Sequence, residues 1–359
     1  MYLRTAIIPI TGLLTQMRQF MSSILSSNNQ TRSNWQIELS ESFTDPKALL
    51  HQLNLDSEIA SEILKAAELF PFRVTRSYAS RMEKGNVRDP LLRQVLPVDL
   101  ELIDKPGYSN DPVGDRVAIP IPGIIQKYSE RALLLTTGAC AINCRYCFRR
   151  NFPYNESQLT RKHEQLAFDY LRDSTKIHEV ILSGGDPLVL TDNRLQGILE
   201  KLSSLDHIKT VRFHTRLPIV LPSRVTLQLI RLLTSIRPTA IVVVHTNHSK
   251  EIDSEVQEAI NRLRDARITV LNQSVLLKGV NDHFPVLSDL SETLFQAGIL
   301  PYYLHLLDKT NGAAHFEVKT DVALRLQEDL RSKLPGYLVP RFVREHSGAR
   351  YKLPLQDSI

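Results

Sequence analysis

The chain has 359 residues, 42% of them hydrophobic, and a formal net charge of +5. That length accommodates one large α/β unit with an appendage, and the apolar content is ordinary for a folded globular protein. No uncharged apolar run reaches the roughly 18 residues a membrane span needs, and the mild basic excess does not by itself point to nucleic acid; it suits an anionic substrate or an acidic partner.

The opening MYLRTAIIPITGLLTQ has the outline of a signal peptide, but Pro9 and Gly12 interrupt its apolar stretch and no small-residue cleavage site follows. Residues 1–27 read as an extension, with Met17 and Met21 as alternative starts. From about residue 34 to 110 the chain reads as mostly helical: PKALLHQLNL and SEIASEILKAAELF carry apolar residues at helical spacing, with Ser57 and Ser61 as caps and Pro71 closing the second helix. Residues 76–122 are rich in Pro and Gly and read as an irregular wrapping segment.

From about residue 131 strands alternate with helices. ALLLTT (132–137) is a buried strand, followed by a loop that holds every cysteine of the chain: Cys140, Cys144 and Cys147, spaced C-x3-C-x2-C. Three thiolates on one loop can hold three irons of a four-iron cluster, whereas clusters that only carry electrons are normally held by four cysteines. One iron is then left open to a non-protein ligand, as a catalytic metal site keeps a free position. No histidine stands near enough in sequence to complete a zinc knuckle, and the alternative is a set of buried structural thiols. Unpaired thiols with cluster spacing belong in a reducing compartment, so the expected location is the cytoplasm.

EVILS (179–183), TVRFHT, AIVVVHT, ITVLNQSV and LPYYLHLL continue the strands, with helical segments of about a dozen residues between them. Six βα units predict a parallel sheet wrapped by helices, short of the eight units that close a barrel: a partial (β/α)6 barrel with its chemistry at the C-terminal strand ends. GYLVPRFV reads as a final strand leading into a tail. The expected organisation is an N-terminal extension over 1–110, the barrel over 111–343 and a C-terminal tail over 344–359. Polar residues mark the strand ends: His214 and Arg216; His245, Asn247 and His248; Asn272 and Gln273; His305 and Asp308. After the second strand comes S-G-G-D-P at 183–187, where glycines let backbone approach a ligand and the aspartate can accept from an ammonium; alone, this is also a good turn.

The cysteine loop resembles that of the radical S-adenosylmethionine (SAM) enzymes, which chelate the open iron with the amino and carboxylate groups of SAM. RALLLTTGACAINCRYCFRRNFPY, SGGDPL, HTRLPIV, LNQSVLLKGVND, PYYLHLLDKTNGAAHF and GYLVP narrow the resemblance to the lysine 2,3-aminomutase family, over residues 75–355. Within it the chain is most similar to the short bacterial branch that supplies β-lysine for modifying translation elongation factor P. The resemblance implies a radical SAM isomerase that moves the amino group of L-lysine from C2 to C3, using a [4Fe-4S] cluster, SAM and pyridoxal 5′-phosphate (PLP). It implies Cys140, Cys144 and Cys147 as cluster ligands, and Ser183, Gly184, Gly185 and Asp186 at the amino group of SAM. It further implies Tyr146, His245 and Gln273 as cofactor contacts.

The lysine that holds PLP matches Lys352 in HSGARYKLPL, where only Gly348 remains of the family's glycine run; Lys278, Lys309 and Lys333 are weaker candidates. Lys127, Tyr128 and Arg131 match the phosphate-binding positions, with Lys127 replacing an arginine. Arg149 matches the residue that pairs with the substrate carboxylate, a task that suits a planar guanidinium. Asp308 and Glu345 match the two acids around the side-chain ammonium, Glu345 standing where the family has an aspartate.

The implied partners are L-lysine, an electron donor such as flavodoxin or ferredoxin, and a functional link to elongation factor P and its lysyl-transferring enzyme. Neither nucleic acid nor membrane is implied, and a homo-oligomer is compatible with the sequence. One rival reading is another radical enzyme on the same scaffold, a glutamate mutase or a PLP-free enzyme. It should place a basic or neutral group where Asp308 stands. The other is a non-enzymatic iron–sulfur protein, which needs neither SAM nor Lys352.

Overall fold

The computed structural model describes residues 33–56 and 61–355. The extension over 1–27, with its alternative starts, and the cap assigned to Ser57 lie outside the described residues. Among the described residues three helices come first: α1 (Asn34–Ser40), α2 (Pro46–Gln52) and α3 (Ser61–Leu69). Asp45 caps α2 by accepting from the Lys47 N–H at 3.0 Å, with Pro46 at the first helical position, where its missing N–H costs nothing. α3 ends at Leu69, two residues before Pro71. Residues 76–122 hold only single helical turns, including Arg76–Ala79 and Pro90–Arg93.

The sheet has nine strands in sequential order: β1 (Ile124–Tyr128), β2 (Arg131–Thr137), β3 (Glu179–Gly184), β4 (Thr210–Thr215), β5 (Thr239–Val244), β6 (Thr269–Leu276), β7 (Leu300–Leu306), β8 (Arg341–Arg344) and β9 (Leu353–Pro354). β2 to β8 are parallel, as in the pairs Val180↔Val211 and Leu304↔Phe342. Among the described residues no pairing joins β9 to β1, so the barrel stays open. Two features differ from the sequence expectation. The sheet is not wholly parallel, because β1 and β9 run antiparallel at its two edges. The final strand starts at Arg341, since Pro335 and Pro340 confine residues 336–338 to a 3₁₀ turn.

The outer face is covered by α4 (Arg161–Asp173), α5 (Asp192–Ser203), α6 (Leu227–Ser235), α7 (Ser254–Asp265), α8 (Phe284–Gln296) and α9 (Thr320–Lys333). Thr160, Thr191, Thr226 and Asp253 cap α4 to α7, each accepting from an N–H in the first turn, about 1 kcal/mol per helix. Each helix turns one apolar stripe to the sheet; in α7 it is Val256, Ala259, Ile260 and Leu263. The inner face carries every second residue, among them Ile181 and Ser183, Arg212 and His214, Val243 and His245, and Tyr303 and His305. These side chains do not fill the interior, and a cavity of about 890 Å³ remains. Among the described residues no helix is long and apolar enough to cross a membrane.

Candidate functional site

The cysteine loop leaves β2 at the C-terminal rim, and its shape is imposed from outside by residues 66–101 of the N-terminal segment. The Asn143 N–H donates to the Arg73 carbonyl (3.0 Å) and the Arg145 N–H to the Gln94 carbonyl (2.9 Å). The Arg145 guanidinium is fully buried, donating to both carboxylate oxygens of Glu101 (2.8 and 2.6 Å) and to the carbonyls of Ala66 and Phe70 (2.9 Å each). Arg150 reaches the same Glu101 at 2.7 Å. The three thiols line the cavity. Burial pushes the Cys140 thiol up and lifts that of Cys147 to about 11, a preference for the neutral form that a coordinated metal reverses.

Behind the loop, Gly184 has φ +123°, and a Cβ there would stand 2.3 Å from the Thr137 carbonyl oxygen; at Gly185 it would stand 2.2 Å from that of Ala139. Any side chain at either place would push the cysteine loop away from β3. The Asp186 carboxylate is buried and satisfied by its own chain. It accepts from Thr215 Oγ1 (2.7 Å) and the Leu188 N–H (3.0 Å) on one oxygen, and from the Arg216 N–H (2.7 Å) on the other.

Across the cavity runs a chain of alternating charges. Lys352 Nζ donates to Glu345 Oε2 at 2.6 Å. Glu345 Oε1 accepts from the Tyr128 hydroxyl at 3.0 Å and lies 3.5 Å from Lys127 Nζ. Lys127 also meets Asp115 Oδ1 at 2.7 Å. Asp115 Oδ2 accepts from Arg149 Nε at 2.7 Å, and Arg149 donates to Ser183 Oγ at 3.3 Å. Glu345 and Lys352 are brought together by a hairpin. Gly348, at φ +79°, turns the tail so that β9 pairs with β8 through Arg344↔Leu353. Burial works against the charge of Asp115 and of Glu345, yet the cations beside them hold both carboxyls below the usual range: Arg149 and Lys127 for Asp115, Lys352 and Lys127 for Glu345.

Asp308 is different. Its carboxylate makes no hydrogen bond or ion pair among the described residues, and burial lifts it to about 7, with the Lys352 charge opposing. Arg131 stacks on the Tyr128 ring, 4.9 Å from its centroid, and pairs with no carboxylate among the described residues. The Lys127 ammonium and the Tyr128 hydroxyl, expected at a phosphate, are instead engaged with Asp115 and Glu345.

On the remaining rim, His245 Nδ1 lies 2.7 Å from the Gln273 carbonyl and its Nε2 2.8 Å from the Tyr146 hydroxyl; burial lowers the imidazole to about 4. The Nε2 atoms of His214, His305 and Gln273 are buried without a hydrogen-bond partner, and all three side chains line the cavity. Asn247, His248 and Asn272 do not line it. Asn247 joins Gln94 and Tyr146 to strand β6, His248 caps a turn, and Asn272 ties Thr246 to Ser274, so the fold uses these three polar ends itself.

The cavity is therefore lined by Cys140, Cys144, Cys147, Ser183, Gly184, Gly185, Asp186, Tyr146, His245, Gln273, Lys127, Tyr128, Arg131, Arg149, Asp308, Glu345 and Lys352, the positions the family resemblance implied, but not by the weaker lysine candidates Lys278, Lys309 and Lys333. It also holds Asp115, which sequence reasoning missed. In the segment DPVGDR an aspartate beside Pro and Gly reads as a turn residue, and no local pattern marks it as a buried bridge between two cations. The volume lies at the upper end of the roughly 300–1,000 Å³ of small-molecule sites. Among the described residues no three His, Cys, Asp or Glu side chains converge on one metal ion. A cubic cluster does not ask for that, since each thiolate takes a different corner. Three thiols on one loop thus suit a cluster. The primary amine of Lys352 and the three unpartnered nitrogens suit a polar, aldehyde-bearing cofactor.

The description "Radical SAM superfamily" matches residues 134–289. The chain is 45% identical over 338 residues to the L-lysine 2,3-aminomutase of Escherichia coli (strain K12), covering 93% of this chain and 98% of that one. It is also 45% identical over 315 residues to the L-lysine 2,3-aminomutase of Haemophilus influenzae, covering 88% and 93%. To that of Clostridium subterminale it is 32% identical over 327 residues, covering 91% of this chain and 78% of that one.

Proposed function

We propose that this chain, which belongs to the L-lysine 2,3-aminomutase family of radical SAM enzymes and is an isomerase, converts L-lysine to β-lysine with PLP as second cofactor. The observation that carries this reading is the meeting of three thiols with a lysine–carboxylate pair and a free aspartate on one cavity.

Cys140, Cys144 and Cys147 hold three irons of a [4Fe-4S] cluster, and Ser183 to Asp186, Tyr146, His245 and Gln273 surround SAM. The Asp186 carboxylate ties the end of β3 to Thr215 and Arg216, and its Oδ2, with one donor only, keeps acceptor capacity for the SAM amino group. When bound, the cluster with SAM supplies one-electron hydrogen abstraction, and PLP supplies the conjugated system through which nitrogen migrates. Lys352 is the PLP lysine, and Arg131, with Lys127 and Tyr128, serves the phosphate. Arg149 takes the substrate carboxylate. Its Nε is occupied by Asp115 and its NH1 touches Ser183 Oγ, which leaves donor capacity at the terminal nitrogens for the ligand. Asp308 and Glu345 take the side-chain ammonium. Asp308 has no competing partner, and a cation beside it favours its charged form. An acidic pair of this kind disfavours glutamate by like charge.

The setting is cytoplasmic, with reduction by a flavodoxin or ferredoxin, and the product serves a lysyl-transferring enzyme that modifies elongation factor P. The test is anaerobic incubation of the reconstituted protein with SAM, PLP, a reductant and isotope-labelled lysine, with labelled glutamate in parallel. Mass spectrometry should find labelled β-lysine. Unchanged lysine alongside rearranged glutamate would overturn the substrate, and turnover without PLP would overturn the cofactor.

A further inference from the structure

Arg216 follows β4 in the HTRLP segment, and the proposed function gives its side chain no task. Its guanidinium is nearly fully buried, a position that costs several kcal/mol unless every charge is met. Here it is met at both terminal nitrogens, with Nε left without a partner among the described residues, and that arrangement fixes its direction. The NH2 end donates to Glu251 Oε2 (2.9 Å), Gln94 Oε1 (2.8 Å) and the Tyr78 hydroxyl (3.2 Å). Glu251 is itself held by the N–H groups of Asn247 (2.9 Å) and His248 (3.2 Å) and by Gln94 Nε2 (3.0 Å). The Arg216 backbone is pinned as well, through its N–H to Asp186. With one end of the fork fastened, the other has no freedom, and its NH1 donates to the Tyr146 hydroxyl (2.9 Å) and to Cys144 Sγ (2.7 Å).

Among the described residues this is the one side-chain hydrogen bond to a cysteine sulfur of the loop. Arg73 reaches only the backbone carbonyl of Cys140, at 3.5 Å. We infer that Arg216 is a positioning residue that sets the reduction potential of the cluster by donating a charge-assisted hydrogen bond to Cys144 Sγ, with Glu251 setting how much of its charge the cluster feels. The inference rests on the reading of the three cysteines as cluster ligands. Its physical basis is that reduction adds an electron to an already anionic thiolate-bound cluster. A cationic donor at a ligand sulfur stabilises the reduced form more than the oxidised one and raises the potential. The pair therefore makes predictions of opposite sign. Arg216→Gln removes the donor charge and moves the potential down. Glu251→Gln leaves the guanidinium uncompensated and moves it up. Arg216→Lys keeps a charge but loses the fixed fork, and falls between wild type and Arg216→Gln.

The experiment is redox titration of the reconstituted proteins without SAM, followed by electron paramagnetic resonance, with iron and sulfide measured on each sample. Wild type without cluster iron would overturn the cysteine reading itself. Fully loaded variants with the wild-type potential, or with shifts of the same sign, would overturn the role of Arg216. If the buried-charge variants do not fold, wild type carries the test: protein grown on arginine carrying ¹⁵N only at the two terminal guanidinium nitrogens, which leaves the backbone amides of Arg145 and Arg149 unlabelled, should show nitrogen hyperfine coupling to the reduced cluster. Unlabelled-like spectra there would overturn the hydrogen bond.

Discussion

Asp186 and Asp308 both follow a parallel strand and both line the cavity, one after β3 and one after β7. The Asp186 carboxylate accepts from three donors of its own chain, while the Asp308 carboxylate accepts from none among the described residues. The contrast extends to their surroundings. Around Asp186 the cysteine loop is clamped by the buried Arg145–Glu101 pair and by two glycines that admit no side chain. Around Asp308 the groups are linked side chain to side chain, from Lys352 through Glu345, Lys127 and Asp115 to Arg149. The first region is preformed by burial, and its geometry survives whatever binds. The second is a string of ion pairs whose members an incoming carboxylate or ammonium can take over, so its charges are held ready rather than spent.

The sharpest break would come from the thiols. Replacing Cys140, Cys144 or Cys147 with Ala should abolish SAM cleavage and strip most cluster iron, leaving the fold intact by circular dichroism. A variant that retains four irons would show that the clamped loop is not the ligand set. Next is the clamp. Glu101→Gln leaves Arg145 and Arg150 facing each other without their carboxylate, and should cost about 3–5 kcal/mol in denaturant unfolding. A cost below 1 kcal/mol would mean that the loop is not held from outside.

The two aspartates then separate directly. Asp308→Asn should lose on the order of 2–4 kcal/mol of transition-state stabilisation for lysine, roughly 30- to 1,000-fold in kcat/KM, with SAM cleavage retained and no loss of stability. Asp186→Asn should do the reverse at the level of folding, costing about 1–3 kcal/mol because it disturbs three satisfied bonds. Equal effects of the two on stability would erase the distinction.

The last effect is a pH slope. Burial lifts the Asp308 carboxyl to about 7 in the fold, against about 3.9 unfolded, so the folded state binds this proton more tightly. Its contribution to stability is complete below about pH 4 and is lost as pH rises through about 7. Wild type should therefore lose stability relative to Asp308→Asn between those limits, in unfolding curves of the cofactor-free protein. A difference that does not change with pH would show that water in the cavity solvates Asp308 fully.

The parallel strands were legible because each is an apolar, β-branched run bounded by turn residues, and their parallel order follows from the helices between them. β1 was not: Ile-Ile-Gln-Lys-Tyr is short, half polar, and emerges from a Pro- and Gly-rich stretch. β9 is only two residues long and exists because a turn at Gly348 returns it to β8. At the site, cysteine spacing and motif matches brought the right neighbourhood together, since short motifs sit on consecutive strand ends. Which polar ends face inward was not legible. Asn247, His248 and Asn272 have the same local signature as His245 and Gln273, and only the network around Gln94, Tyr146 and Thr246 shows them turned to the fold's own use. Asp115 was invisible for a related reason: its partners lie 12 and 34 residues away, on β1 and beyond the cysteines.

The two antiparallel strands have a consequence for how this molecule behaves in crowded solution. An open sheet ends in rows of unsatisfied amides and carbonyls that template pairing with another chain. β1 covers one such border, and β9, short as it is, covers part of the other. Deleting the tail would thus do more than remove Lys352. It would bare the flank of β8 and invite self-association, so a truncated protein that fails would fail for two unrelated reasons, and a point substitution at Lys352 is the cleaner instrument.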